Sequence, residues 1–196
     1  MSDQPGMRVI SRGERESEVE HSIRVLFLCT GNSARSQIAE ALLARKGGDR
    51  FIVASAGTAP ALAVRPEAVA ALAEVGIDWS AARPRGVDRV VDADWDMVIT
   101  LCDRARESCP NLPSRPVTAH WGIPDPAESG TNASLRQKAF NDTLALLAWR
   151  IDLMLALRPE LLDKLVLEER LQAIATKSPA SPSSITGAAD AIRPPL

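Results

Sequence analysis

The clearest capacity for chemistry in this sequence lies in one short stretch. An apolar run over residues 25–28 ends on Cys29, passes through Thr30, Gly31, Asn32, Ser33 and Ala34, and reaches Arg35 and Ser36 where a helical pattern opens. The five residues between Cys29 and Arg35 let the loop wrap one tetrahedral oxyanion. Backbone N–H groups of the turn and of the first helical turn would point inward, the helix dipole would add positive charge, and a guanidinium can grip two oxygens at once. The same field favours the thiolate of Cys29, which is the attacking form of a cysteine. A buried strand-end cysteine followed by an ordinary capped turn would use similar residues. The order of strand, small polar turn, arginine and helix start favours the anion site.

The elements that must hold this stretch are legible from hydrophobic spacing. Apolar residues at helical intervals over 36–46 stop at Gly47-Gly48, a C-terminal signal. A short strand is expected over 51–55. Pro66, suited to a first helical position, opens a helix over 67–75 with Gly76 beyond its end. Residues 87–91 fit a short helix or a strand equally well. A buried strand over 96–101 leads into Cys102, and residues 102–116, charged and holding three prolines, read as a loop with at most a helical turn. A fourth strand over 116–121 leads to a second long loop, 122–130, which carries Pro124-Asp125-Pro126. A long amphipathic helix follows over 134–157, and a second amphipathic piece from Pro159 to about residue 174 has Leu161, Leu162, Leu165 and Leu171 to cover. Strands alternating with helices imply a parallel sheet, whose sites lie beyond the carboxyl ends of its strands. Cys29, Cys102 and Asp125 all fall there.

Composition narrows the function classes. The 23 basic and 25 acidic residues nearly cancel, and no long basic run exists, so nucleic acid and anionic membrane are not expected partners. No apolar run approaches the ~20 residues of a membrane span, and the first 22 residues lack the apolar core of a signal peptide, so a cytoplasmic location is expected. Three cysteines do not make a disulfide framework; in a reducing compartment they point to metal, catalysis or redox exchange. Metal is the weakest of these, with two histidines and no C-x-x-C.

Four motifs in order carry a family resemblance: residues 29–36, Ser55-Ala56-Gly57, the run 100–110 from Thr100 through Cys102 and Cys109 to Pro110, and the run 120–127 from His120-Trp121 to Ala127. Together they resemble the thioredoxin-coupled arsenate reductases, which share the low-molecular-weight protein tyrosine phosphatase fold. The resemblance covers residues 23–157 and implies an α/β architecture, a four-stranded parallel sheet flanked by helices. Around that domain the expected organisation is a flexible leader over 1–22, an extra C-terminal amphipathic helix over 158–175 and a disordered tail over 176–196.

Carried over by position, Cys29 resembles the attacking cysteine, Arg35 the oxyanion clamp and Asp125 the general acid, while Cys102 and Cys109 resemble a redox relay pair. Residues Thr30, Gly31, Asn32, Ser33, Ala34, Arg35 and Ser36 would bind the oxyanion. Ala34 departs from the members that carry another cysteine there, outside the relay. The implied substrate is arsenate, with phosphate or sulfate as mimics, and the implied partner is thioredoxin. No cofactor is implied beyond a structural potassium ion that some members bind, with Asn32 and Ser55 at matching positions. If the steps from Cys102 to Cys109 were helical, their Cα atoms would lie about 10 Å apart along the axis. A disulfide needs less than about 7 Å, so the relay would require this segment to rearrange.

Two rival readings stay in view. A phosphotyrosine phosphatase would use Cys29, Arg35 and Asp125 alone, but such members usually place an aromatic residue where this chain has Ala127. A non-catalytic oxyanion sensor would use the cradle only to bind. His120 and Trp121 are read as loop-orienting residues, and Arg104 and Arg106 as thiol-activating or merely solvated.

Overall fold

The computed structural model describes residues 22–129 and 132–177. The expected leader lies outside the described residues except for Ser22, and the expected tail except for Thr176 and Lys177. Four strands, β1 (Ile23–Cys29), β2 (Phe51–Gly57), β3 (Met97–Thr100) and β4 (Val117–His120), form one parallel sheet in the order β2-β1-β3-β4. Five α-helices accompany them among the described residues: α1 (Arg35–Gly47), α2 (Pro66–Glu74), α3 (Asp103–Glu107), α4 (Ala133–Ala156) and α5 (Lys164–Ala175). The expected α/β class, strand number and C-terminal helix are all present.

The period of two along β1 divides the core. Val25, Phe27 and Cys29 face the larger cluster, which Ile38, Leu42, Phe140, Leu147 and Ile151 fill from α1 and α4. Leu26 and Leu28 face a smaller cluster closed by Val90, Trp95 and Ala105. Both faces of the central strand are therefore dry, as a parallel sheet requires. Helix boundaries follow local chemistry. Pro66 starts α2, Gly76 in a left-handed conformation (φ 75°) follows its end, and the Asn132 side chain caps α4 by accepting from Leu135 N.

Three expectations are adjusted. Residues 87–89 form a single 3-10 turn, so neither a strand nor a full helix stands there. Strand β2 runs two residues beyond its expected end, to Gly57, because it pairs with β1 as far as Cys29. The piece after Pro159 is broken: a 3-10 turn over Pro159–Leu161 precedes α5, which the Asp163 side chain caps. Arg158, in the left-handed region (φ 52°), makes the reversal out of α4. The leucines of this piece are covered unevenly. Leu171 is fully buried, whereas Leu161 and Leu165 remain 66% and 81% exposed. Helix α5 folds back along the outer edge of β4, where Gln172 accepts from His120 N and the Leu171 carbonyl accepts from the Trp121 indole. That covers a sheet edge which would otherwise present unpaired backbone groups. No described helix is long and apolar enough to cross a membrane.

Candidate active site

A cavity of about 740 Å³ opens over the carboxyl ends of the strands, and Cys29, Arg35, Cys102 and Asp125 all line it. Chain topology explains the convergence. The last residue of β1 is Cys29 and the first of α1 is Arg35, at the two ends of one loop; the turn after β3 supplies Cys102, and the loop after β4 supplies Asp125. Because the strands are parallel, all three connections leave the sheet at the same end.

Within the β1–α1 loop, Cys29 is buried and its sulfur accepts from Asn32 N at 3.2 Å. The Ser36 hydroxyl lies 2.9 Å from the same sulfur. Since Ser36 Oγ already accepts from Asn32 Nδ2 (2.9 Å), its proton is available to Cys29. Asn32 takes a left-handed backbone (φ 46°), which bends the loop inward so that its N–H meets the sulfur. The loop also leans on Gly57. A Cβ at that position would come within 2.6 Å of the Thr30 carbonyl and 2.9 Å of Asn32 N, so the close approach needs glycine. At the start of α1 the cap residue, Ala34, makes no side-chain hydrogen bond. The first-turn N–H groups are therefore not taken by a cap, which is what an anion site at a helix N-terminus requires.

Arg35 is held from the far side of the sheet. Its NH1 donates to the Ile123 carbonyl at 2.8 Å and its NH2 to Asp125 Oδ2 at 2.7 Å. Nε is buried with no partner among the described residues. A buried guanidinium N–H without an acceptor costs free energy unless a ligand oxygen meets it. Asp125 uses its other oxygen, Oδ1, to accept from Ala127 N, which fixes the 3-10 turn Pro126–Glu128. Both oxygens are thus engaged as acceptors, and an oxyanion that took up the guanidinium would release Asp125 from it.

The other two cysteines part company. The Cys102 sulfur, half-buried, lies 3.3 Å from Thr30 Oγ1 and faces the same cavity as Cys29. Cys109 lines a separate cavity behind the segment, with Val98, Leu112 and Pro116, and burial pushes its thiol pKa up. The five-residue helix α3 stands between the two, and all three thiols are free. His120 bridges β3 and α3: Nδ1 meets Thr100 Oγ1 at 2.9 Å and Nε2 meets Asp103 at the first position of α3 at 3.2 Å. Arg104 reaches the main cavity, and Arg106 does not line it. Arg65, which also lines the cavity, carried no sequence signal because it reaches the site only through the loop after β2. Ala127 is present in the lining, and no aromatic side chain among the described residues joins it.

The potassium expectation is tested by the donors around Asn32 and Ser55. Asn32 Oδ1 accepts from Gln37 Nε2 (3.0 Å) and from Arg85 N (2.7 Å). Ser55 Oγ accepts from Asn32 Nδ2 and donates to Glu40 Oε2 at 2.6 Å. The remaining Glu40 oxygen pairs with the Arg85 guanidinium. These oxygens are committed to protein donors, and a positive charge already stands beside them. The residues do not fit a bound cation, and no group of three or more His, Cys, Asp or Glu among the described residues could hold a metal ion.

The family model described as low molecular weight phosphotyrosine protein phosphatase matches residues 24–167. An arsenate reductase of Halalkalibacterium halodurans is 44% identical over 105 residues, which is 54% of this chain and 75% of that protein. One from Bacillus subtilis is 43% identical over 105 residues, again 54% and 75% of the two chains. Among solved structures, an arsenate reductase in the phosphate binding state superposes with a TM-score of 0.56 at 29% identity, covering 68% of this chain and 97% of that one. The chain therefore belongs to the low molecular weight phosphotyrosine protein phosphatase family, and within it to the arsenate reductases.

Proposed function

We propose that this protein reduces arsenate to arsenite through a Cys29–arsenic adduct and a three-cysteine relay. The observation that carries the proposal is the second thiol, Cys102, facing the same cavity as the Cys29–Arg35–Asp125 cradle. A phosphatase has no use for it. Arsenate has nearly the shape of phosphate, so the uncapped N–H groups of α1 and the free Nε of Arg35 would take its oxygens. The Cys29 thiolate attacks arsenic, and an arsenate oxygen leaves as water with a proton from Asp125, which the bound oxyanion has parted from Arg35.

The Cys102 thiolate then attacks the Cys29 sulfur. The electron pair of the sulfur–arsenic bond passes to arsenic, As(V) becomes As(III), and arsenite leaves a Cys29–Cys102 disulfide behind. Cys109 attacks the Cys102 sulfur, frees Cys29 and forms a Cys102–Cys109 disulfide. With α3 intact the two thiols face different cavities, so this transfer needs α3 to unwind and the buried Cys109 to emerge. A dithiol protein of the thioredoxin class would reduce the product, and a cycle that returns to free thiols suits the cytoplasm.

The test is arsenite release with thioredoxin and with a glutaredoxin system, run beside hydrolysis of p-nitrophenyl phosphate. Multiple turnovers with thioredoxin are expected. Efficient ester hydrolysis without arsenite release would assign the phosphatase chemistry instead, and arsenate binding with neither product would make the protein a sensor.

A further inference from the structure

We infer that Arg85 does within the chain the work of the monovalent cation bound by some relatives, and that it is a positioning residue for the thiol loop. The inference starts from Glu40, which α1 carries under the loop with its side chain only 11% exposed. A carboxylate in that position needs a positive partner. The Arg85 guanidinium provides it on one oxygen, while the other accepts from the Ser55 hydroxyl.

Arg85 also grips the loop with its backbone. Its N–H donates to Asn32 Oδ1 at 2.7 Å, and its carbonyl accepts from Gly57 N at 2.8 Å, where Gly57 and Gly86 make an isolated parallel bridge. One residue thus joins the end of β2, the underside of α1 and the residue whose N–H reaches the Cys29 sulfur. The line of contact runs from Arg85 through Glu40 and Ser55 to Asn32 Nδ2, and from Asn32 to Ser36 and Cys29. Gln37 and Trp79 secure the far side of Asn32: Trp79 Nε1 donates to Gln37 Oε1, and Gln37 donates to Asn32.

A potassium ion could enter only by turning these oxygens away from their present donors and by standing close to a like charge. The guanidinium, unlike an ion, cannot dissociate, so the loop keeps its shape in any salt. The inference concerns loop geometry and extends the reductase reading; thermal melting and ester hydrolysis test it independently of arsenic chemistry.

The experiment compares the full-length protein in potassium chloride and in tetramethylammonium chloride of equal ionic strength. For the wild type, the melting temperature, arsenite release and p-nitrophenyl phosphate hydrolysis are expected to be the same in both. Arg85→Ala leaves Glu40 buried without a counter-charge. In tetramethylammonium its melting temperature should fall by about 5 °C and its turnover by about tenfold; potassium should recover a large part of both. Arg85→Lys, which keeps the charge, should stay within about threefold of wild type in either salt. If Arg85→Ala does not fold, Arg85→Met, which keeps the apolar stem, carries the same comparison. A wild-type protein that melts higher or turns over faster in potassium would overturn the inference, and so would an alanine or methionine variant indifferent to the cation.

Discussion

Residues 29–36 and residues 102–116 both follow the carboxyl end of a strand, and each brings a thiol to the same cavity, yet they are built in opposite ways. In the first, Asn32 and Ser36 are fully buried, and the Asn32 side chain is hydrogen-bonded to α1, β2 and the backbone of Arg85. In the second, a five-residue helix stands without a side-chain cap, between a thiol facing the cavity and a thiol facing away. A helix so short has little stability of its own and opens at low cost. The difference teaches what each chemistry demands. Binding a tetrahedral anion rewards donors fixed before it arrives, whereas the proposed passage of a disulfide from Cys102 to Cys109 would require backbone that can travel.

Serine at position 29 is the severest way to probe the rigid half. Cys29→Ser should lose arsenate reduction and ester hydrolysis together, each by roughly 10⁴-fold or more, because a hydroxyl at neutral pH lacks the nucleophilicity of a thiolate. Retained turnover of either kind would remove Cys29 from the mechanism.

Cys109→Ser separates the two halves. The variant should release about one arsenite per protein and stall, with mass spectrometry finding Cys29 joined to Cys102. Hydrolysis of p-nitrophenyl phosphate should survive, since it draws on the rigid loop alone. Repeated turnover with thioredoxin at the wild-type rate would reduce Cys109 to a loop residue.

Gly57→Ala should sharpen the claim that the rigid loop is shaped in advance. The added methyl cannot be accommodated against Thr30 O and Asn32 N without moving the loop, at a cost of about 1–3 kcal/mol in stability. Phosphate affinity, read by calorimetry, should fall by roughly tenfold or more if the shift misaligns the donors. Unchanged affinity would show that the loop adapts to its anion.

The smallest effect belongs to the pliable half and is read through pH. Burial raises the Cys109 pKa in the folded segment, so the folded state is fully stable with respect to this group below the unfolded thiol value of about 8.5. Stability is then lost as pH rises above it. Between pH 8 and 10 the wild type should therefore lose a few degrees more in melting temperature than Cys109→Ser, and Cys109 should alkylate more slowly than Cys102 at pH 7. Equal losses in the two proteins would mean that Cys109 is not held in a buried site.

Much of this contrast was legible in the sequence because it is local. The strand ending on Cys29, the small polar turn and the start of α1 depend on neighbours within a few residues. Gly47-Gly48, Pro66 and Gly76 likewise mark ends where backbone preference alone decides. Residues 87–91 resisted because four or five residues carry no period, and their 3-10 turn is set by packing Val90 on Trp95 and Leu26. Leu161 and Leu165 misled for a related reason. Apolar residues after Pro159 do not follow one helical period: Leu161 lies in the 3-10 turn before Asp163, and Leu165 stands about 120° around α5 from Leu171, off the buried stripe of Leu167, Leu171 and Ile174.

By itself, then, the sequence determined the thiol loop, the strand–helix alternation and the class of chemistry, since these follow from side-chain type and short-range spacing. Tertiary structure alone decided which distant groups complete the site. Arg35 meets Ile123 and Asp125 from 88 and 90 positions away, and Glu40 finds Arg85 across 45. Arg85 and Arg65 bear no motif, and Cys109 gives no hint of the cavity it faces. Those meetings depend on the order β2-β1-β3-β4, which puts connections remote in the chain side by side at one end of the sheet. Strand order is fixed by how both faces of β1 are buried at once, a property of the whole packed core.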